Sequence, residues 1–236
     1  LENFREIFYD SYYVGRMLYT VALVVLVSIL TLMVAMPLTI IIARLKNFWR
    51  STWVVLLLTS LALSEVLTAY AWQIILSKSS GLPGWLERLG LLTDANSWWP
   101  GFPAMLLVLV YFSIPIAMVM LLPPLSRMDG SLSDTARMMG FSKIEVFWRV
   151  TLPVLRRPIF QTGLLLFLLN SGGFVISQQL GRPSDWMFSV FIADFMRSFN
   201  VPFAVALALC LLLTVVVLVG VTYLAFGREG ANSRDV

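Results

Sequence analysis

The sequence predicts an all-α integral membrane protein with about five transmembrane helices in this chain. Of the 236 residues, 59% are hydrophobic and 13% are charged, whereas a soluble domain carries roughly a quarter of charged residues. One protein core cannot hide this excess of apolar side chains, so lipid has to act as the solvent. The second observation is that the apolar residues fall into five long stretches.

A transmembrane helix needs about 20 consecutive, mostly apolar residues. Pro37 and Pro115 lie inside two of the five stretches and predict packing kinks, because neighbouring helices in a membrane re-satisfy the freed carbonyl groups. The stretches that meet the length are 17–43, 53–76, 104–125, 159–180 and 203–226.

The distribution of Lys and Arg predicts the orientation of these spans. Eleven basic residues lie in the segments after the first, third and fifth spans, and six lie on the other side. Because cytoplasmic loops are enriched in Lys and Arg, we place the 126–158 loop in the cytoplasm. The N-terminus, the 77–103 loop and the 181–202 loop then face out.

Composition excludes several functions. The chain has no histidine and a single cysteine, Cys210, so an intrachain disulfide and a Cys/His metal site are excluded, as is histidine-based catalysis. A membrane serine protease would lack its base, and no paired carboxylates lie inside the spans. The net charge of +4 fits basic cytoplasmic loops rather than nucleic-acid binding.

The outer loops predict local structure of their own. Residues 81–84, Gly-Leu-Pro-Gly, predict a turn, and residues 85–92 and 185–200 predict short surface helices. Pro202 is expected to start the last span. Trp85, Trp98 and Trp99 suit the aromatic belt at the membrane surface.

The cytoplasmic loop predicts a first short helix before Gly140. Ser131 can cap this helix, and Asp134 lies in its first turn, where the helix dipole favours an acid. Gly140 can end the helix in a left-handed conformation.

A second short helix is predicted after Gly140. Ser142 and Glu145 have the spacing of a capping box, and Pro153 is expected to break the helix before the fourth span. Both helices show apolar residues at helical spacing, which indicates either a protein partner or contact with the bilayer surface. These residues are Leu132, Ala136, Met139, Ile144, Phe147 and Trp148.

Residue spacing in this loop resembles that of the inner-membrane permeases of binding-protein-dependent ABC importers. Their loop runs Glu-Ala-Ala, three residues, Gly, nine residues, Ile-x-Leu-Pro. Here Asp134-Thr135-Ala136 is followed by three residues and Gly140, and nine further residues precede Val150-Thr151-Leu152-Pro153.

Two further stretches resemble the spermidine/putrescine-type permeases of this family. They are residues 70–76, Tyr-Ala-Trp-Gln-Ile-Ile-Leu, and residues 173–181, which begin Gly-Phe-Val-Ile and end Leu-Gly. That group often has an acid where Gly173 stands and an arginine where Thr68 stands. Its six spans imply that a span N-terminal to Leu1 is missing from this sequence.

The resemblance implies a single transmembrane permease domain over 1–236, with 126–158 as a loop that docks on a cytoplasmic ATPase. The expected partners are an ABC ATPase dimer that carries ATP and Mg²⁺, a second and different permease, and a periplasmic solute-binding protein. The chain itself would hold no cofactor and perform no catalysis. The coupling residues implied are Asp134, Thr135, Ala136, Gly140, Leu152 and Pro153.

Polar residues inside spans are candidates for a substrate path. On the second span, Ser60, Ser64, Glu65, Thr68 and Trp72 fall in one helical sector. We interpret the serines as helix-packing groups. Glu65 is assigned either to the path, where a carboxylate suits a polyamine or another small organic cation, or to an ion pair with the partner subunit.

The fourth span carries a second polar face. Asn170, Phe174, Ser177 and Gln178 share this face, and Ser177 is likewise interpreted as a helix-packing group. A secondary transporter or a channel without an ATPase is the alternative function, and dependence of uptake on ATP distinguishes the two.

Overall fold

The computed structural model describes residues 7, 9–91, 96–128 and 138–227, with backbone alone for residues 143 and 225–227. All elements in this part of the chain are helical, as the sequence predicts. They are α1 (Ser11–Ala43), α2 (Asn47–Ala62), α3 (Glu65–Ile75), α4 (Leu82–Arg88), α5 (Phe102–Ser126), α6 (Lys143–Val146), a π-helical turn (Phe147–Thr151), α7 (Leu152–Ser171), α8 (Val175–Leu180), a 3₁₀ turn (Pro183–Asp185), α9 (Phe188–Arg197) and α10 (Val201–Gly227).

Four helical segments are long and apolar enough to cross a membrane, and α2 with α3 makes a fifth if the pair counts as one span. The four are α1, α5, the continuous helix Ile144–Ser171 and the Val201–Leu224 part of α10. The predicted number of about five spans is thereby confirmed. Pro37 and Pro115 both lie inside helices.

The second span differs from the prediction, because a break with a bend of 97° separates α2 from α3. Leu63 adopts an extended conformation, and its N–H donates to the carbonyl of Ser60 at 3.3 Å. The carbonyl of Ser64 accepts the N–H of Thr68 at 3.0 Å, which starts the next helix. The break contains neither Pro nor Gly. Neither residue type nor hydropathy therefore predicts it from the sequence.

The fourth span begins earlier and ends earlier than predicted. Its helix runs from Ile144 to Ser171, and residues 175–180 form the separate α8. Pro153 does not break this helix, which corrects the sequence prediction. The Leu152 N–H bonds the carbonyl of Phe147, five residues back, and this wider π turn brings the chain to Pro153 at the second position of α7.

The surface helices are confirmed with shifted bounds. α4 begins at Leu82, so the residues predicted as a turn form its start, and Pro83 suits a first helical turn, which needs no amide donor there. α9 lies within the predicted range 185–200. α10 begins at Val201, so Pro202 does mark the start of the last span.

The chain divides into two compact units. The first comprises the described parts of Leu1–Val25, Ala69–Met105 and Leu168–Val236. Within it, the three segments predicted to face out are joined. The Arg16 guanidinium donates to the Ser184 carbonyl at 2.6 Å, and the Arg182 Nε donates to the Pro100 carbonyl at 2.9 Å.

The second unit comprises the described parts of Leu26–Thr68 and Leu106–Phe167. Its core is formed where α1, α5 and α7 pack through buried side chains. The core residues are Ala35, Ile42, Ala117, Met118 and Leu166. This core supports the turn between α1 and α2, whose Leu45 packs against it.

Candidate functional site

Residues 138–153 are the described part of the predicted coupling loop that surrounds and follows Gly140. Gly140 has φ +90, the left-handed conformation that the sequence predicts and that glycine adopts without a steric penalty. Ser142 and Glu145 form the predicted capping box. The Ser142 N–H donates to the Glu145 carboxylate at 2.8 Å, and the Glu145 N–H donates to the Ser142 hydroxyl at 3.3 Å.

Large apolar side chains on this segment are exposed. Met138, Met139, Ile144 and Trp148 are 89%, 72%, 72% and 61% exposed. Val146 and Thr151 of the same segment are buried. An exposed apolar surface of this kind is typical of contact with another protein or with the membrane, the two alternatives that the sequence leaves open. We call Met138, Met139, Ile144 and Trp148 the coupling surface.

A π turn joins the coupling surface directly to the membrane-spanning α7. π turns inside helices are frequent at functional sites. The guanidinium of Arg149 lies 5.3 Å from the centre of the Phe141 ring, which holds the residues on both sides of the capping box together. The predicted coupling residues Leu152 and Pro153 start α7.

Three predicted coupling residues, Asp134, Thr135 and Ala136, lie outside the described residues. The predicted first short helix, with its Ser131 cap, falls in the same part of the chain. Both therefore remain predictions.

The predicted path residues of the second span lie just after the helix break. Glu65 is the first residue of α3, and Thr68 and Trp72 follow at spacings of three and seven, so the three share one face of that helix. Thr68 is buried, and its hydroxyl donates to the Ser64 carbonyl at 3.0 Å. Ser60 lies before the 97° bend, so the prediction of one sector from Ser60 to Trp72 was wrong.

The predicted path residues of the fourth span are divided by a second helix break. Asn170 is buried at the end of α7, whereas Phe174 immediately precedes α8. Between them, the Gly173 N–H donates to the Asn170 carbonyl at 3.2 Å. Because the helix is interrupted, the predicted shared face of Asn170, Phe174, Ser177 and Gln178 does not form on one continuous helix.

Two polar groups near this break take part in packing. The fully buried Ser177 hydroxyl accepts the Met187 N–H at 2.9 Å. The Ser189 hydroxyl donates to the Gly173 carbonyl at 2.8 Å. For Ser177 the structure therefore agrees with the interhelical hydrogen bonding that the sequence analysis favours for the serines of the spans.

Sequence reasoning missed the polar link between α3 and α8. The Gln73 Nε2 donates to the Gln179 carbonyl at 2.7 Å and lies 3.2 Å from its side-chain oxygen. A signal was present in the sequence, since both glutamines stand in apolar stretches, where unpaired amides are costly.

The structure distributes the predicted path residues between the two units. Glu65 and Thr68 belong to the second unit, and Trp72, Asn170 and Phe174 belong to the first. What the geometry does establish is that both predicted polar stretches coincide with interrupted helices. Interrupted helices in membrane transporters expose backbone groups where they line a cavity.

The model of one protein family, described as the binding-protein-dependent transport system inner membrane component, matches residues 15–228. The chain is 23% identical over 229 residues to the spermidine/putrescine transport system permease protein PotB of Escherichia coli K12, covering 97% of this chain and 82% of that protein. It is 24% identical to the inner membrane ABC transporter permease protein YdcU of the same organism, covering 97% and 75%.

Two solved structures share the fold. One is a bacterial ABC transporter involved in the import of the acidic polysaccharide alginate, with a TM-score of 0.77 at 16% identity, covering 98% of this chain and 84% of that chain. The other is the bacterial alginate transporter in complex with a periplasmic protein that holds an alginate pentasaccharide, with a TM-score of 0.75 at 18% identity, covering 93% and 80%.

Proposed function

The chain belongs to the family of binding-protein-dependent transport system inner membrane components, and from this membership we propose that it forms half of the translocation path of an ATP-driven importer for a small solute. It is a multi-pass protein of the bacterial inner membrane and a permease subunit of the ABC importer type. The proposed assembly adds an ABC ATPase dimer, a second and different permease, and a periplasmic binding protein.

The coupling surface supports the proposal that a cytoplasmic ATPase docks on this chain. Four large apolar side chains are exposed on a segment held by a left-handed glycine and a capping box. The segment continues through a π turn into α7 without a loop, so a movement imposed on it would be transmitted to a spanning helix. ATP and Mg²⁺ would bind to the partner ATPase and bias two packings of the permease.

The substrate proposed is a polyamine or another small organic cation. Two observations support it, the spermidine/putrescine permeases among the relatives and the carboxylate of Glu65 at the start of α3. Glu65 stands beside an interrupted helix within a span, where ionisable groups mark substrate or ion paths. Thr68, Trp72, Asn170 and Phe174 are proposed as further path residues.

Co-purification of the ATPase tests the coupling proposal. Gly140→Val places a β-branched residue at φ +90 with open space around it, and Gly90→Val does the same at φ +72 on the predicted outer side. Both positions have a positive φ that a β-branched residue rarely adopts. The full-length protein is tagged and purified from mildly solubilised membranes.

We expect the ATPase to co-purify with the native protein and with Gly90→Val, and to be lost or strongly reduced with Gly140→Val. Equal recovery with both variants would overturn the assignment of this loop.

The energy source of uptake distinguishes the two candidate functions. Uptake that stops when ATP is depleted at constant membrane potential agrees with primary transport. Uptake that stops only when the ion gradient collapses would point to a secondary transporter.

A further inference from the structure

An open apolar groove lies within the second unit, between the end of α1, α2 and the middle of α5. Its volume is about 380 Å³. Ile41 and Leu45 line one side, Trp53 and Leu56 line the second, and Ile114 lies on the third. Ile41, Trp53 and Leu56 are each about half exposed, so the groove opens to the outside of the unit. Its walls belong to membrane-spanning segments, so the groove faces either lipid or a neighbouring membrane protein.

Three basic residues stand at the end of the groove where α1 turns into α2. Arg44 and Lys46 flank the groove residue Leu45, and Arg50 precedes Trp53 by three residues, within one helical turn. The turn is compact, since the N–H of Leu45 donates to the Ile42 carbonyl at 3.1 Å. Arg44 and Lys46 are exposed.

These three cations have no acidic neighbour in sequence and form no ion pair in the described structure. Residues 11–64 contain neither Asp nor Glu. The ion pairs of Lys78 with Glu87 and of Arg197 with Asp194 lie elsewhere in the described part of the chain. No ion pair within the described part of the chain therefore neutralises the positive charge of this turn.

We propose that this groove binds an acyl chain of an anionic phospholipid of the cytoplasmic leaflet, whose phosphate lies at Arg44, Lys46 and Arg50. The apolar walls match a hydrocarbon chain, and basic clusters between transmembrane helices on the cytoplasmic side bind anionic headgroups. A zwitterionic lipid brings its own cation and gains less from the cluster. A protein helix bound in the groove would need acidic residues of its own to neutralise the three cations.

Quenching of Trp53 fluorescence by brominated lipid tests the proposal. The full-length protein, assembled with its partner subunits, is reconstituted in nanodiscs with either brominated phosphatidylglycerol or brominated phosphatidylcholine, each over the same range of mole fractions. The Trp53 signal is the difference between the native protein and Trp53→Phe. Each basic residue near the surface favours an anionic headgroup by about fivefold, so quenching should saturate at a much lower fraction of phosphatidylglycerol.

Matched variants separate the headgroup site from general charge. Arg44→Gln/Lys46→Gln should remove most of the preference, whereas Arg88→Gln/Arg197→Gln, which also removes two exposed positive charges, should keep it. High salt should weaken the preference in the native protein as well, which provides a test independent of the variants' folding.

A second pair of variants tests the groove itself. Leu56 and Leu58 are both about half exposed on α2, and only Leu56 is a groove residue. Leu56→Phe should lower the quenching of Trp53, and Leu58→Phe should leave it unchanged.

The outcomes are distinct. A salt-sensitive preference for phosphatidylglycerol that Arg44→Gln/Lys46→Gln removes supports the proposal. Equal quenching by both lipids would overturn it in favour of ordinary bulk lipid. Quenching by neither lipid would overturn it in favour of a protein segment that covers the groove in the assembly.

Discussion

The backbone N–H of Phe188 donates to the side-chain hydroxyl of Thr20 at 2.8 Å, and both residues are buried. This bond joins α1 to the start of α9 across 168 positions of sequence. The N–H at the start of a helix has no acceptor within the helix. The Thr20 hydroxyl provides this acceptor for the first N–H of α9.

We expect Thr20→Val to destabilise the protein by about 1–3 kcal/mol, because it leaves the buried Phe188 N–H unpaired. Thr39→Val is the matched control. Both hydroxyls lie on α1, are buried and donate to the carbonyl four residues back, at 3.0 Å and 2.6 Å. In the described part of the chain, the Thr39 hydroxyl makes no other hydrogen bond. Thermal unfolding in detergent checks the difference, and equal melting temperatures would contradict it.

Gly84 is expected to tolerate no larger residue. A Cβ atom at Gly84 would collide with the backbone carbonyl of Lys78, whereas one at Gly15 in α1 meets nothing within 4 Å. Gly84→Ala should therefore cost about 1–3 kcal/mol through overpacking against backbone. Gly15→Ala should be neutral or stabilise by about 0.5–1 kcal/mol, because alanine favours a helix. If both variants unfold at the same temperature as the native protein, the close contact inferred between Gly84 and Lys78 is wrong.

Loss of the capping box is expected to weaken coupling. Ser142→Ala removes the hydroxyl that accepts the Glu145 N–H, which costs about 1 kcal/mol of local helix stability. We expect a lower rate of transport-dependent ATP hydrolysis at normal assembly levels. Ser142→Thr keeps a capping hydroxyl and should restore the rate. A Thr variant as impaired as the Ala variant would indicate that the cap is not the cause.

Glu65→Gln tests the proposed path for a cation. Loss of a charged hydrogen-bonding partner costs about 1.5–3 kcal/mol, so the apparent affinity for a polyamine should fall about tenfold or more. Glu87→Gln on α4, which removes a carboxylate in an exposed ion pair with Lys78 at 3.7 Å, should leave uptake unchanged. If Glu65→Gln instead lowers recovery of the second permease, the carboxylate serves assembly, and unchanged uptake and assembly would exclude both roles.

The local structure around Gly140 could be predicted from the sequence because it depends on neighbouring residues. A left-handed Gly140 and the reciprocal bonds of Ser142 and Glu145 depend on residues within one or two turns. The effect of Pro153 could not be predicted in the same way. A π turn accommodates the proline without ending the helix, and nothing in the residue types distinguishes that turn from a break.

The sequence by itself determined that the chain is helical, lies in a membrane and has about five spans, because hydrophobic length and the placement of charge are sufficient for these. Only the tertiary structure decided where the spans are interrupted. The break at Leu63 and Ser64 contains no helix-breaking residue, and the link from Gln73 to Gln179 joins positions 106 residues apart. Such features depend on packing between distant segments, which a local pattern of residues does not encode.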